Sequence, residues 1–415
     1  MLTPQPIGIF SLPAGYLLLP NSNSGTEAHQ QLMRGKFLSE YPSEWHFYEL
    51  ALRGDLDAAM QAITGDDPVA HYNRFVLKSS PAQYLELSKT FDGALRKYLD
   101  VVAYTLGYIP HPPEVDDATE LTGEAHAFIL MAQATEQLEQ EDIPAALPLL
   151  REAISAAKDI SPVFTAQLAC TLLEAERTHS ESTILMVPQY RQILRTLQST
   201  DLADAEAETW LALGIVYQEL SNGQRSSMME AVKCYQYALR VFTRDHRPES
   251  YALAQSNLAL VYLAMPLVES SDRLRAGVAI QALREALKIY GRDTHPDQWA
   301  SAQMNLANAL QYVPTAHPQE NLEQAVELYE DILTVRNAID DPLGYGRTLA
   351  NQANALAHLG IFSHAVTKLQ QAHTLFYRNN DKDGADAVLQ LLNQIQARQR
   401  EMSLEAQQME KNKNN

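Results

Sequence analysis

Three stretches of the chain share one spacing of small and large apolar residues. Ala279, Leu283 and Ala286 form the first set, Ala325, Tyr329 and Ile332 the second, and Ala365, Leu369 and Ala372 the third. Steps of four and three keep each set on one face of an α-helix. The small residues let a second helix approach closely, and the large one fills the gap between the two. A second patterned stretch precedes each seam. Residues 248–262, 296–310 and 342–356 align column by column. A proline opens each (Pro248, Pro296, Pro342), followed three places on by an aromatic (Tyr251, Trp299, Tyr345) and then a small residue (Ala252, Ala300, Gly346). An asparagine stands six places after the aromatic (Asn257, Asn305, Asn351), and an alanine two further on (Ala259, Ala307, Ala353). The copies start 48 and then 46 residues apart, a period that signals a repeat architecture. Proline suits the first helical turn, where its missing N–H would be unpaired anyway. Asp341 is placed to cap the last of the three helices.

One copy upstream carries more of a known signature. "WLALGIVY" supplies Trp210, Leu213, Gly214 and Tyr217, followed by Ala231, Tyr235 and Ala238. This resembles the tetratricopeptide repeat (TPR), W-x2-L-G-x2-Y followed by A-x3-[FY]-x2-A. Its second half arrives five residues late, because "SNGQRSSMM" lengthens the loop between the two helices. The last copy keeps the family's spacing of twelve, from Ala353 to Ala365, whereas the copies at 259 and 307 have longer loops holding Pro266 and Pro314. Upstream, Ala134, Ala146, Leu150 and Ala153 also fall at TPR spacings, and residues 163–198 fit a further, degenerate pair. The resemblance implies an all-α, right-handed α-solenoid of TPR-like helix pairs with a helical N-terminal extension and a C-terminal capping helix. Trp210, Tyr217, Tyr262 and the alanine seams are assigned to its core, and Tyr251, Trp299 and Tyr345 to wedges between successive units.

The remaining boundaries follow from composition and pattern. Residues 1–40 read as an extended N-terminal segment. Within it, "IGIFSLPAGYLLLP" (7–20) is apolar, is broken by Pro13 and Pro20, and has no Lys or Arg before it, the first basic residue being Arg34. A secretory signal needs positive charge ahead of its apolar run, so the stretch is expected to lie on the body of the protein. Residues 41–109 form a helical N-terminal region, beginning with helix, Gly-Asp turn and helix over 45–63. The Pro-rich, acidic 110–123 is a linker, and 124–380 is the array. Residues 381–402, with Val388, Leu391, Leu392 and Ile395 on one face, form the cap that an open stack requires. Residues 403–415 read as a disordered tail.

Hydrophobic content of 46% and charged content of 20% over 415 residues describe a folded, soluble chain. The net charge of −19 disfavours phosphate backbones and anionic lipid, so no nucleic acid or membrane partner is expected. Cys170 and Cys234 are isolated and read as small apolar residues of a reducing compartment, with cytoplasm as the default location. There is no Walker A, GxGxxG, G-x-S-x-G or HExxH motif. No cofactor, metal or catalytic residue is assigned, and the oligomeric state stays open.

The asparagines carry the functional expectation. With Ala259, Ala307 and Ala353 as close-packing positions, Asn257, Asn305 and Asn351 lie about 200° away around their helices. The TPR resemblance puts that side in the concave groove, and "SNLALVY" is similar to kinesin-light-chain-type repeats, whose groove asparagines contact cargo peptides. Steps of three and four extend the face to Leu253 and Leu260, to Ser301, Asn308 and Tyr312, and to Arg347, Asn354 and His358. A carboxamide both donates and accepts, so it can pair with the backbone of an extended segment whatever its sequence. The expected partner is another protein or a peptide segment, held by a non-enzymatic adaptor or scaffold. The same asparagines could equally tie neighbouring helices in register. Two rivals also stay open: an assembly or regulatory factor acting through the N-terminal region, and an enzyme with a motif-free site in residues 1–120.

Overall fold

A computed structural model describes residues 4–22, 25–115, 121–178, 183–266, 272–312 and 317–413, and every regular element among them is helical. The chain forms two compact units, residues 1–220 and 221–415.

The first unit holds α1 (Gly25–Met33), α2 (His46–Leu52), α3 (Leu56–Ala62), α4 (Pro68–Leu77), α5 (Pro81–Thr90) and α6 (Gly93–Thr105). It continues with α7 (Gly123–Glu139), α8 (Ile143–Ala157), α9 (Pro162–Arg177), α10 (Met186–Leu197) and α11 (Ala203–Glu219). Local chemistry sets many of these boundaries. Asp55, Asp67, Ser80 and Asp142 each accept a backbone N–H from the first turn of α3, α4, α5 and α8. The Gly-Asp turn read between two short helices is there, with Gly54 at a positive φ and Asp55 as the cap of α3. The TPR-spaced residues of α7 and α8, Ala134, Ala146, Leu150 and Ala153, are buried between the two helices. The degenerate stretch 163–198 contains α9 and α10. Part of the expected linker, residues 116–120, lies outside the described residues.

The apolar N-terminal stretch is built into this unit. Ile7, Ile9, Leu17, Leu18 and Leu19 are almost fully buried. Asn73 on α4 binds both sides of one residue, accepting from Leu18 N (2.9 Å) and donating to Leu18 O (2.8 Å). Gln5 N donates to Glu124 at the start of α7 (2.7 Å), and Gln167 on α9 donates to Ile9 O (3.0 Å). Gly8 has a φ of +74, and a Cβ there would come within 2.5 Å of the Phe164 ring, so only glycine passes at this point. The segment thus crosses α4, α7 and α9 with its peptide groups satisfied partly by its own turns and partly by helix side chains, without a sheet.

The second unit holds α12 (Arg225–Ala238), α13 (Pro248–Ala264), α14 (Asp272–Ala286), α15 (Pro296–Tyr312), α16 (Pro318–Val335), α17 (Pro342–His358), α18 (Phe362–Arg378) and α19 (Lys382–Lys413). The three aligned stretches are α13, α15 and α17, each starting at its aligned proline and each 17 residues long. Asp341 caps α17 by accepting from Gly344 N (2.8 Å). Each is followed by its seam helix, and α13 with α14, α15 with α16, and α17 with α18 pack as pairs. Every seam residue of α14, α16 and α18 is fully buried. The loop residues 267–271 and 313–316, including Pro314, lie outside the described residues. Ala385, Val388, Leu392 and Ile395 of α19 complete the core of the last pair. The helix expected to stop at 402 runs on to Lys413, through a stretch without Gly or Pro to break it.

Some expected core positions are only half-buried. Trp210, Tyr217 and Tyr262 keep their polar tips at the surface, where Trp210 donates to Glu206 and the two phenol oxygens accept from Arg191 and Gln236. Tyr251 bonds to Glu285 of its own helix pair, while Trp299 and Tyr345 pack against the cores that include their own helices α15 and α17. Cys234 is buried, but Cys170 is half-buried.

Asn73→Ala removes both partners of Leu18. It is expected to lower local stability by about 2–4 kcal/mol, measured as faster amide exchange at Leu17 to Leu19 with exchange in α17 unchanged.

Candidate functional site

The residues singled out in the sequence lie on α13, α15 and α17, and the structure sorts them into two groups. On α17 and the facing side of α15, the amides are engaged with each other. Asn351 Nδ2 donates to Asn308 Oδ1 (3.1 Å) and lies 3.4 Å from Met304 Sδ. Asn308 Oδ1 also accepts from the Tyr329 hydroxyl (2.7 Å), which reaches Gln311 Oε1 at 3.2 Å as well. Asn354 Nδ2 donates to the Tyr312 hydroxyl (2.7 Å). Amide bonds at Asn351 and Asn354 therefore run from α17 to α15, and the Tyr329 hydroxyl ties α15 to its own seam helix α16 through two acceptors.

The second group has no such ties. Asn257 on α13 and Asn305 on α15 are half-buried, and within the described residues neither makes a side-chain hydrogen bond. The repeat explains why Asn305 is left over. Asn351 pairs with the position three residues after the preceding unit's own asparagine, which is Asn308. The equivalent position in α13 is Leu260, whose side chain has nothing to accept with. One leucine in place of asparagine thus opens one rung of the ladder.

The remaining positions form the rim. Ser301, Arg347 and His358 are exposed, Tyr312 is 62% exposed, Leu253 is partly exposed and Leu260 is half-buried. Leu253, Asn257 and Leu260 share one face of α13, an amide between two apolar side chains. Arg347 and His358 put positive or titratable groups only on α17.

Several participants were not picked out as site residues in the sequence, Gln311, Met304, Tyr329 and Gln352 among them. Tyr329 was read as a filler of the α16 seam, and it is fully buried with its phenol pushed well above its ordinary pKa by burial. It therefore stays protonated and must donate. The signal was available: the other seams place Leu283 and Leu369 there, and a hydroxyl at a buried seam demands an acceptor. Gln352, fully buried on α17, donates to Glu330 Oε2 (2.5 Å) and Val326 O (3.3 Å), while its own Oε1 lacks a hydrogen-bond partner. Nothing in the column pattern marks it, since the first two copies carry Leu258 and Leu306 at that place.

No group of three or more His, Cys, Asp and Glu side chains is placed to hold a metal among the described residues, and no helix there is long and apolar enough to cross a membrane.

No protein-family model matches this chain, and no curated protein sequence does either. Among solved structures, the apo form of RapI is similar at 11% identity and a TM-score of 0.43, over 86% of this chain and 98% of its own. A Rap protein complexed with competence and sporulation factor gives 11% identity and 0.44 over the same shares. The TPR2AB domain of yeast Sti1 in complex with pHSP90 gives 16% identity and 0.26, over 66% of this chain and all of its own. Likenesses this loose assign neither family nor function.

Asn308→Ala deprives Tyr329 and Asn351 of a shared acceptor. It is expected to cost about 1–3 kcal/mol, whereas Asn305→Ala changes stability by less than about 0.5 kcal/mol. Urea unfolding monitored at Trp299 checks both, and Tyr329→Phe added to Asn308→Ala should recover part of the loss.

Proposed function

We propose that the face formed by α13, α15 and α17 holds an extended segment of another protein, and that the chain works as a non-enzymatic adaptor of the cytoplasm. The observation that carries this reading is the pair of open carboxamides, Asn257 and Asn305, beside the partly exposed Leu253. A half-buried amide with no internal partner has donor and acceptor capacity left to offer. An extended backbone supplies the complement, an N–H and a C=O at every residue. The neighbouring leucines add apolar surface, worth roughly 25 cal/mol per Å² covered. The rungs at Asn351 and Asn354 are already closed by Asn308 and Tyr312, so the segment registers on the α13–α15 half of the face. Arg347, His358 and Tyr312 then meet side chains at its other end.

This division sets the test. Peptides selected from a displayed library on the full chain should lose about tenfold in affinity on Asn257→Ala and on Asn305→Ala, one to two hydrogen bonds each. Methylating single backbone nitrogens of the best peptide should produce losses of the same size at two positions and little effect elsewhere. Leu260→Asn gives Asn305 an internal partner, so it should weaken capture without lowering stability. Selected peptides that bind the double alanine variant as tightly as the unaltered chain would dismiss the reading.

A further inference from the structure

A cleft of about 510 Å³ lies in the first unit, where the N-terminal segment, the end of α6 and α7 meet. Its size is that of a small-molecule site. Tyr16, Tyr104, Thr135 and Glu139 supply the polar atoms, and Ile109 and Met131 much of the apolar wall.

The hydrogen-bond directions in this cleft all run one way. Thr105 Oγ1 donates to Val101 O (3.0 Å), so in its 3.0 Å contact with the Tyr16 hydroxyl it is Tyr16 that donates. The Tyr104 hydroxyl donates to Glu139 Oε2 (2.9 Å), and Thr135 Oγ1 donates to Met131 O (2.9 Å). Burial and then Glu139 push Tyr104 up to about 12, which keeps its proton in that bond. Every hydroxyl proton is thus committed inside the protein. What the cleft still presents are acceptors: phenol oxygens, the Thr135 oxygen and the second carboxylate oxygen of Glu139. No Lys or Arg is among the described residues that line it, and the nearby His111 is held by Glu136 (2.5 Å). The aromatic walls are fixed in advance. Tyr16 lies edge-on to Phe128 with centroids 5.2 Å apart, and its backbone oxygen accepts from Tyr72 (2.9 Å).

A site whose side chains offer acceptors, one carboxylate and two phenol rings, with no Lys or Arg in the lining, disfavours anions. It fits a group with several N–H donors and a positive charge, which the rings and Glu139 both favour. We infer that this cleft binds a small organic cation, a primary ammonium on a short apolar stem, with the ammonium at Glu139 and the stem along Ile109 and Met131. This assignment is independent of the reading of the asparagine face.

Calorimetry on the full chain tests it with phenethylamine and its uncharged counterpart 2-phenylethanol. The amine should bind saturably at one site, and the alcohol at least tenfold more weakly. Glu139→Gln should weaken the amine at least tenfold, while Glu327→Gln, an exposed acid on α16, should leave it unchanged. Thr135→Trp keeps the charge and fills the space, and it should abolish binding with far-UV circular dichroism intact. Equal binding of amine and alcohol, indifference to Glu139→Gln, or an equal loss at Glu327→Gln that reports only the acidic surface would each overturn the assignment. So would tighter binding of N-acetyl-Gly-Lys-Gly-amide than of phenethylamine, which would make the cleft a reader of lysine side chains.

Discussion

Close approach of paired helices at alanine is the constraint on which the second unit depends. Nine seam positions on α14, α16 and α18 have no exposed surface, and Ala259, Ala307 and Ala353 on the facing helices are equally buried. A methyl group at these places fixes the distance between axes, and every other contact is set by that distance. It decides that a hydroxyl at Tyr329 reaches Asn308, and that Asn351 reaches across to α15. A larger residue at any of the alanines would move the pair apart and break polar contacts well away from itself.

The two units solve the problem of buried backbone differently. In the second, most peptide groups lie in helices and are satisfied there. In the first, the N-terminal segment satisfies part of its backbone through its own turns, such as Gly8 N to Gly15 O, and the surrounding helices supply the rest one residue at a time: Asn73 for Leu18, Glu124 for Gln5, Gln167 for Ile9. These three side chains come from α4, α7 and α9, so the segment links helices that are far apart in sequence. The same arrangement brings Tyr16 against Thr105 and closes one wall of the cleft beside α7.

How much of this could be read from the chain depends on the range of each interaction. Prolines opening helices, aspartate caps and alanine seams are local in sequence, and the starts of α13, α15 and α17 fell on the aligned residues. The docking of 7–20 was legible as an apolar stretch lacking the flanks of a signal, though its anchors were not, because Asn73 and Gln167 are ordinary polar residues within helices. The asparagine column was visible, but its division was not. Whether Asn305 or Asn351 finds a partner depends on a residue more than forty positions earlier and on how far apart two helices lie. Trp210 and Tyr217 were assigned to the core from the repeat signature, and their polar tips held them at the surface. The cleft has no sequence signature, since the acceptors its side chains present follow from where four hydroxyl protons go.

Tyr329 has a further consequence for the order of the helix pairs. Its hydroxyl is buried and is satisfied only by Asn308 and Gln311, which α15 carries and α13 and α17 do not carry together. The pairs resemble each other closely enough to look interchangeable, yet α16 stacked on α13 or α17 would bury that phenol without the full set of acceptors. Shuffling or duplicating these modules is therefore not neutral, and a single oxygen atom records which neighbour each one belongs beside.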